Sequence, residues 1–345
     1  MFAEYRSRSM EIRPLVLGRI MNKISHDRWC FLFPGQGSQR VGMGRDLFTA
    51  HPELVAKIFE TADDLLGFSI SEICWNGPED VLRRTDITQP AIFLASYATY
   101  RVLVEQIPSP AVVAGHSLGE YAALVVAGVL DWTDALRLVR RRGQLMAAVN
   151  ETTPGAMAVA LGLSAGTVEK LCAEAAATTA EVVEVANYNE PTQTVVSGTI
   201  AAVTEFLRLA RPELPEGGKV KKLDVGAPFH CSLMADVEAA FDAELATVTF
   251  RSPQTPVVVN ASGDFITTGH EAYEALRRQL AGSVQWTDTL SRLVDFGVGT
   301  FVEVGPGKVL TGICRRSYPL LNCHSATDAR RIASISDDYR LTKSA

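Results

Sequence analysis

The amino-acid sequence predicts an α/β protein: a large subdomain on a mostly parallel sheet, interrupted by a small subdomain of ferredoxin-like order. Three observations predict it. Helical segments alternate with short apolar strand patterns up to about residue 150, as in a parallel sheet with helices on both faces. Residues 156–225 then read strand, helix, strand, strand, helix, strand, which is the ferredoxin-like signature. The α/β alternation resumes near Pro228, so the small unit reads as an insert. The large subdomain is assigned to residues 29–151 and 227–324 and the small one to 152–226.

The elements follow in order. Residues 1–28 carry Arg6, Arg8, Arg13, Arg19, Lys23 and Arg28 without an uninterrupted apolar core of signal-peptide type, and read as a partly disordered N-terminal extension. Trp29–Phe33 is a buried-strand pattern that ends in Pro34-Gly35-Gln36-Gly37-Ser38-Gln39 and enters a helix. Ala111–Ala114 is a second apolar strand, followed by a tight turn and an Ala- and Leu-rich helix over Tyr121–Leu130. A helix spans about Thr133–Val149, and Thr152-Thr153-Pro154-Gly155 breaks the pattern. The insert comprises strand Met157–Leu161, helix Ala165–Ala175, strands Glu184–Ala186 and Gln193–Ser197, helix Ile200–Ala210 and strand Lys219–Leu223. Val257–Asn260 and Thr300–Val304 are further strands, the latter ending at Gly305-Pro306-Gly307. Residues 325–345 are polar and charged and read as a frayed tail.

Composition narrows the class. Of 345 residues, 47% are hydrophobic and 21% charged, enough for a sizeable core. No apolar run reaches membrane-span length. The six cysteines at 30, 74, 172, 231, 314 and 323 form no C-x-x-C and pair with no histidine at metal-ligand spacing. The expectation is a reduced, cytoplasmic enzyme without a metal. A net charge of −6 argues against nucleic acid as a partner.

Gly115-His116-Ser117-Leu118-Gly119 is a G-x-S-x-G pentapeptide between a strand and a helix. That context is a nucleophile elbow: glycines allow the sharp turn, and the serine hydroxyl is lifted above the sheet edge beside free backbone N–H groups. The chemistry is acyl transfer or acyl hydrolysis through a serine ester. A serine nucleophile needs a base, usually histidine. His116 is adjacent, but neighbouring side chains diverge across an elbow. His26 and His324 lie in the terminal regions, and His51 and His270 in polar segments. His230, after Val225-Gly226-Ala227-Pro228-Phe229 at the subdomain junction, is favoured over a helix-capping core role, since clefts form at such junctions. Cys231 reads as a buried small hydrophobe. Arg142 falls on the apolar stripe of its helix with Leu138 and Val139, while Arg137, Arg140 and Arg141 point elsewhere. A buried guanidinium demands an anion. Two readings stand: a receptor for a substrate carboxylate, or an internal ion pair. Gln36, between Gly35 and Gly37, is a candidate to help bind an oxyanion or a plain turn residue. The turn lacks the Lys of a P-loop and the pattern of a dinucleotide site.

The chain resembles malonyl-CoA:acyl-carrier-protein transacylases and the related acyltransferase domains of polyketide synthases from about Trp29 to Arg315. The motifs in order are Phe33-Pro34-Gly35-Gln36-Gly37-Ser38-Gln39, Gly115-His116-Ser117-Leu118-Gly119-Glu120-Tyr121, Arg142, Asn187-Tyr188-Asn189-Glu190-Pro191 with Gln193 and Ser197-Gly198, Pro228-Phe229-His230, Val284-Gln285-Trp286 and Glu303-Val304-Gly305-Pro306-Gly307. The resemblance implies a hydrolase-like large subdomain with a ferredoxin-like insert. It implies Ser117 as nucleophile, His230 as base, the backbone carbonyl of Gln285 as the group orienting His230, and the N–H groups of Gln36 and Leu118 as the oxyanion hole. Arg142 would grip the malonate carboxylate.

It also implies malonyl-CoA as substrate, no permanently bound cofactor, and a phosphopantetheine thiol on the partner. That partner is an acyl carrier protein, free or a carrier domain of a polyketide synthase, in polyketide or fatty-acid synthesis. Leu118 and Phe229 stand where the family selects its extender, and a bulky Phe229 favours malonyl over an α-methyl extender. The rival readings are an acyl hydrolase on the same scaffold, against which Arg142 argues, and a non-catalytic docking module.

Overall fold

The computed structural model describes residues 24–344. The expectation for residues 1–23 lies outside the described residues. Strand β1 (Ser25–Phe33) opens the fold. It starts four residues before the boundary read from the sequence, so residues 25–28 belong to the sheet and not to an extension. The chain runs through α1 (Arg45–Ala50), α2 (Pro52–Leu66), α3 (Ile70–Asn76), α4 (Glu79–Arg83) and α5 (Thr85–Leu103) to β2 (Val112–Gly115), α6 (Gly119–Val126) and α7 (Trp132–Thr152). The insert is β3 (Gly155–Leu161), α8 (Ala165–Thr179), β4 (Val183–Glu190), β5 (Gln193–Thr199), α9 (Ile200–Ala210) and β6 (Lys219–Lys222). The large subdomain resumes with α10 (Ala235–Leu245), β7 (Val257–Val259), β8 (Asp264–Ile266), α11 (Gly269–Gln279), α12 (Trp286–Asp295), β9 (Val298–Val304), α13 (Val309–Ser317), β10 (Asn322–Ala326) and α14 (Ala329–Ser344).

Six strands form the large sheet in the order β10-β9-β1-β2-β7-β8. All pairings are parallel except β7 with the edge strand β8. Parallel strands covered on both faces favour near-continuous apolar runs, and β2 and β9 are buried throughout. The insert is a four-stranded antiparallel sheet in the order β4-β5-β3-β6, with α8 and α9 packed on it. This is the ferredoxin-like arrangement anticipated from the element order. The insert buries its own core around Phe206, Leu171 and Val196.

The two subdomains are stitched by backbone. The Val284 N–H donates to the Ala186 carbonyl at 2.9 Å, and the Tyr188 N–H donates to the Val284 carbonyl at 3.0 Å. Arg316 adds a bidentate pair with Glu190, which is nearly buried.

The C-terminal reading is corrected. Among the described residues the stretch from 325 to 344 is not a frayed tail: β10 extends the sheet to Ala326, and α14 docks Ile332 and Ile335 into the main core. Two isoleucines three residues apart, with Tyr339 edge-on to Trp29 at 5.4 Å, anchor an otherwise polar helix. Ile332→Ala is expected to lower stability by about 2–5 kcal/mol, the range for truncating a fully buried branched side chain. A urea midpoint unchanged from wild type refutes the docking of this helix.

Candidate active site

The site forms where β1, β2 and β7 end, the edge at which ligands meet a parallel sheet. Ser117 sits between β2 and α6 at φ 52. The two pentapeptide glycines are steric requirements. A methyl on Gly119 would lie 2.0 Å from the Phe33 carbonyl oxygen, and one on Gly115 would lie 2.0 Å from the Gly119 carbonyl. The Phe33–Gly35 backbone therefore packs directly on the elbow, and a methyl on Gly35 would lie 2.7 Å from the His116 carbonyl oxygen. This contact carries the Gln36 turn to the serine. Asn260, directly after β7, locks the elbow: its Oδ1 accepts the Ser117 N–H at 2.5 Å, and its Nδ2 donates to the Gly115 carbonyl at 2.6 Å. With the Ser117 N–H engaged, the Leu118 and Gln36 N–H groups have no protein acceptor among the described residues.

His230 meets the serine across the subdomain junction. Its Nε2 lies 2.7 Å from Ser117 Oγ. His230 also adopts a left-handed backbone, φ 60, so two of the three non-glycine residues with positive φ among those described are this Ser/His pair. Such strain costs about 1–3 kcal/mol and collects at functional sites. Burial, then the nearby Arg142 charge, holds the His230 pKa down at about 3, so the imidazole is neutral.

The group orienting His230 differs from the expectation. His230 Nδ1–H donates to the backbone carbonyl of Gln279 at 2.9 Å, not to Gln285. The reason lies in helix ends. Gln279 closes α11, where a helix leaves its last carbonyls without intrahelical partners. Gln285 is the N-cap of α12, and its carbonyl is taken by the Thr289 N–H at 2.9 Å. With Nδ1–H fixed on Gln279, Nε2 carries the lone pair that faces the serine.

Arg142 points inward, 1% exposed. Arg140 pairs with Asp86 and Arg141 with Glu244, but no carboxylate pairs with Arg142 among the described residues. The internal ion-pair reading fails. Its partners are Gln89 Oε1 at 2.7 Å, Gln279 Oε1 at 3.1 Å and Ser117 Oγ at 3.1 Å. Its Nε has no partner among the described residues, and the Tyr121 ring lies 5.7 Å from its guanidinium carbon. A guanidinium bonded only to neutral acceptors, one of them the nucleophile, is built to receive a carboxylate beside it.

The remaining candidates fall into place. His116 Nε2–H donates to Asn189 Oδ1 at 2.8 Å and lies edge-on to Trp286, joining the two subdomains without bonding to the Ser117 hydroxyl. Leu118 and Phe229 are buried in the main core cluster. Cys231 is buried and burial pushes its thiol up to about 11, which excludes a second nucleophile. Sequence reasoning missed Asn260, Gln89, Gln279 and Glu120. Gln279 was detectable: it shares the inward stripe of α11 with Ala272, Ala275 and Leu276, the same signal that exposed Arg142.

A family model described as "Acyl transferase domain" matches residues 30–336. The chain is 40% identical over 309 residues to the malonyl CoA-acyl carrier protein transacylase of Escherichia coli strain K12, covering 89% of this chain and 98% of that one. The crystal structure of FabD from Acinetobacter baumannii is 35% identical with a TM-score of 0.86, covering 92% of this chain and 100% of that one. A type II polyketide-synthase acyl-carrier protein in complex with its malonyl-transacylase contains a chain 37% identical with a TM-score of 0.85, covering 90% of this chain and 99% of that one.

Gln279→Leu removes the acceptor for Arg142 and the Nε2 donor to the Ser117 carbonyl. Losing such buried bonds is worth about 1–3 kcal/mol each. Acylation of Ser117, followed by intact mass, is expected to slow by about 10- to 100-fold in this variant, and Gln285→Ala to leave it unchanged. The reverse ranking refutes the assignment.

Proposed function

This chain belongs to the malonyl CoA-acyl carrier protein transacylase family, and from that premise we propose that it moves a malonyl group from malonyl-CoA to the phosphopantetheine thiol of an acyl carrier protein. One observation carries the reading: Ser117 Oγ is held at once by a neutral histidine and by a buried guanidinium that no carboxylate among the described residues touches.

Ser117 Oγ attacks the thioester carbonyl, and His230 Nε2 takes its proton. The imidazolium is steadied by its Nδ1–H bond to the Gln279 carbonyl. The Gln36 and Leu118 N–H groups receive the oxyanion; one such donor is worth about 10²–10³ in rate. The C–S bond breaks, and the coenzyme A sulfur leaves with the proton from His230. The carrier thiol then gives its proton to His230 and attacks the malonyl ester, and Ser117 recovers that proton. The kinetics are ping-pong.

Arg142 turns from Ser117 Oγ to the malonate carboxylate, which distinguishes this acyl group from neutral ones. Leu118 and Phe229, both buried, restrict the extender and favour malonyl. The chemistry requires no resident cofactor. Coenzyme A thioester and phosphopantetheine arrive as substrates, in the cytoplasm, and the carrier is a free protein or a polyketide-synthase domain. Among the described residues no helix is long and apolar enough to cross a membrane.

Intact mass after incubation with malonyl-CoA tests the function. A malonyl adduct on Ser117 that transfers to holo carrier protein faster than it hydrolyses is expected; rapid release to water supports a hydrolase instead. Arg142→Ala is expected to lose malonyl loading by about 10²-fold or more, since two charge-assisted bonds are worth about 3 kcal/mol or more together, and to keep acetyl loading. The rate of loading is expected to show no acid limb near the ordinary histidine pKa. The neutral base persists as pH falls until about 3, where His230 protonates. A limb near about 6.5 refutes the burial argument.

A further inference from the structure

Glu120 follows the pentapeptide, is fully buried and takes no part in the chemistry above. Its Oε2 accepts the Asn260 N–H at 2.9 Å and the Gln279 Nε2–H at 2.9 Å, and its Oε1 has no partner among the described residues. An ionised carboxylate accepts about four hydrogen bonds when fully satisfied. Glu120 is therefore an under-solvated anion. Its link to Arg142 is a single amide: Gln279 turns its Nε2 to Glu120 and its Oε1 to Arg142. The cation and the anion hold opposite ends of the same group, and their charges balance while Ser117 is free.

A substrate carboxylate on Arg142 upsets that balance. The buried cluster would then hold one cation and two anions, which is costly in a low-dielectric interior. The substrate carboxylate keeps its charge because the guanidinium meets it directly. Glu120 has a bare oxygen, Oε1, that takes a proton without breaking either bond at Oε2. Resting on the malonyl-transfer reading, we propose that Glu120 is the counter-charge of Arg142 in the free enzyme and takes up a proton when malonyl occupies the site. Malonyl loading is then proton-coupled, and Glu120 acts through Gln279 as a positioning residue.

The other titratable groups of the cluster do not compete. Tyr121, on the same helix, is held protonated by burial. Arg142, from α7, stays charged although burial lowers its pKa. His230, from the segment after β6, is neutral above about 3. Burial raises Glu120 to about 7, so it alone among these changes charge near neutral pH. The direction follows. Binding that favours the protonated carboxyl weakens as pH rises past the free-enzyme value.

Two measurements test this. Single-turnover malonyl loading by wild type, followed between about pH 6 and 8.5, is expected to slow towards tenfold per pH unit on the alkaline side, while Glu120→Gln stays flat and overtakes it. Wild type alone provides the second, independent of whether the variant folds. Mixed with stoichiometric malonyl-CoA and a pH indicator at about pH 7.5, it is expected to take up a substantial fraction of one proton per adduct. The transfer itself is proton-neutral there, because the serine proton leaves on the coenzyme A thiol. Acetyl-CoA, without a carboxylate, is expected to give none. A malonyl adduct formed without proton uptake, or parallel pH profiles for wild type and Glu120→Gln, overturns this proposal alone. Absence of any malonyl adduct overturns the parent function instead.

Discussion

The site depends on one unfavourable act of burial, the removal of the Arg142 guanidinium from water with no carboxylate in contact. A charge in that position must be solvated by dipoles, and the surrounding residues are those dipoles. Gln89 and Gln279 turn their amide oxygens to it, and Ser117 offers its hydroxyl. Gln279 then does three things from one position. Its side chain holds Arg142 and reaches the Ser117 carbonyl, and its backbone oxygen fixes the tautomer of His230. Anion recognition and base orientation are therefore mechanically one unit, closed by the last turn of α11.

The second constraint is steric. The elbow packs backbone on backbone against the end of β1, with room only for hydrogens at Gly115 and Gly119. This sets the serine and the Gln36 turn in a common frame before any side chain acts. The insert contributes through the Ala186–Tyr188 ladder to Val284, five residues after Gln279. The cleft that His230 spans is therefore held by main-chain hydrogen bonds, which no single side-chain replacement deletes.

Much of this was legible in the sequence, for identifiable reasons. The G-x-S-x-G context located the elbow because its glycines are demanded by contact distances. Arg142 was legible because a cation on an apolar stripe breaks periodicity, although periodicity could not decide between an external anion and an internal one. The insert's six elements were legible from alternation and turn residues, with every end within four residues of its place and the helix Ile200–Ala210 matched at both ends. The His230 acceptor was not, because a backbone carbonyl leaves no side-chain signature; only its place at a helix C-terminus frees it. The last helix was hidden because two isoleucines and a tyrosine make a weak stripe in a polar segment. Glu120 and Asn260 escaped because their partners come from distant parts of the chain, 140 residues apart in the case of the bond between them.

The left-handed backbone at Ser117 and His230 has a consequence for drift. Glycine adopts that conformation at no steric cost, so at both positions the residue that best suits the backbone is one that cannot catalyse. A copy of this gene released from its duty gains conformational ease by losing either side chain. The same substitution that silences the enzyme removes local backbone strain at that position. Retention of Ser and His there marks a chain still held to its chemistry.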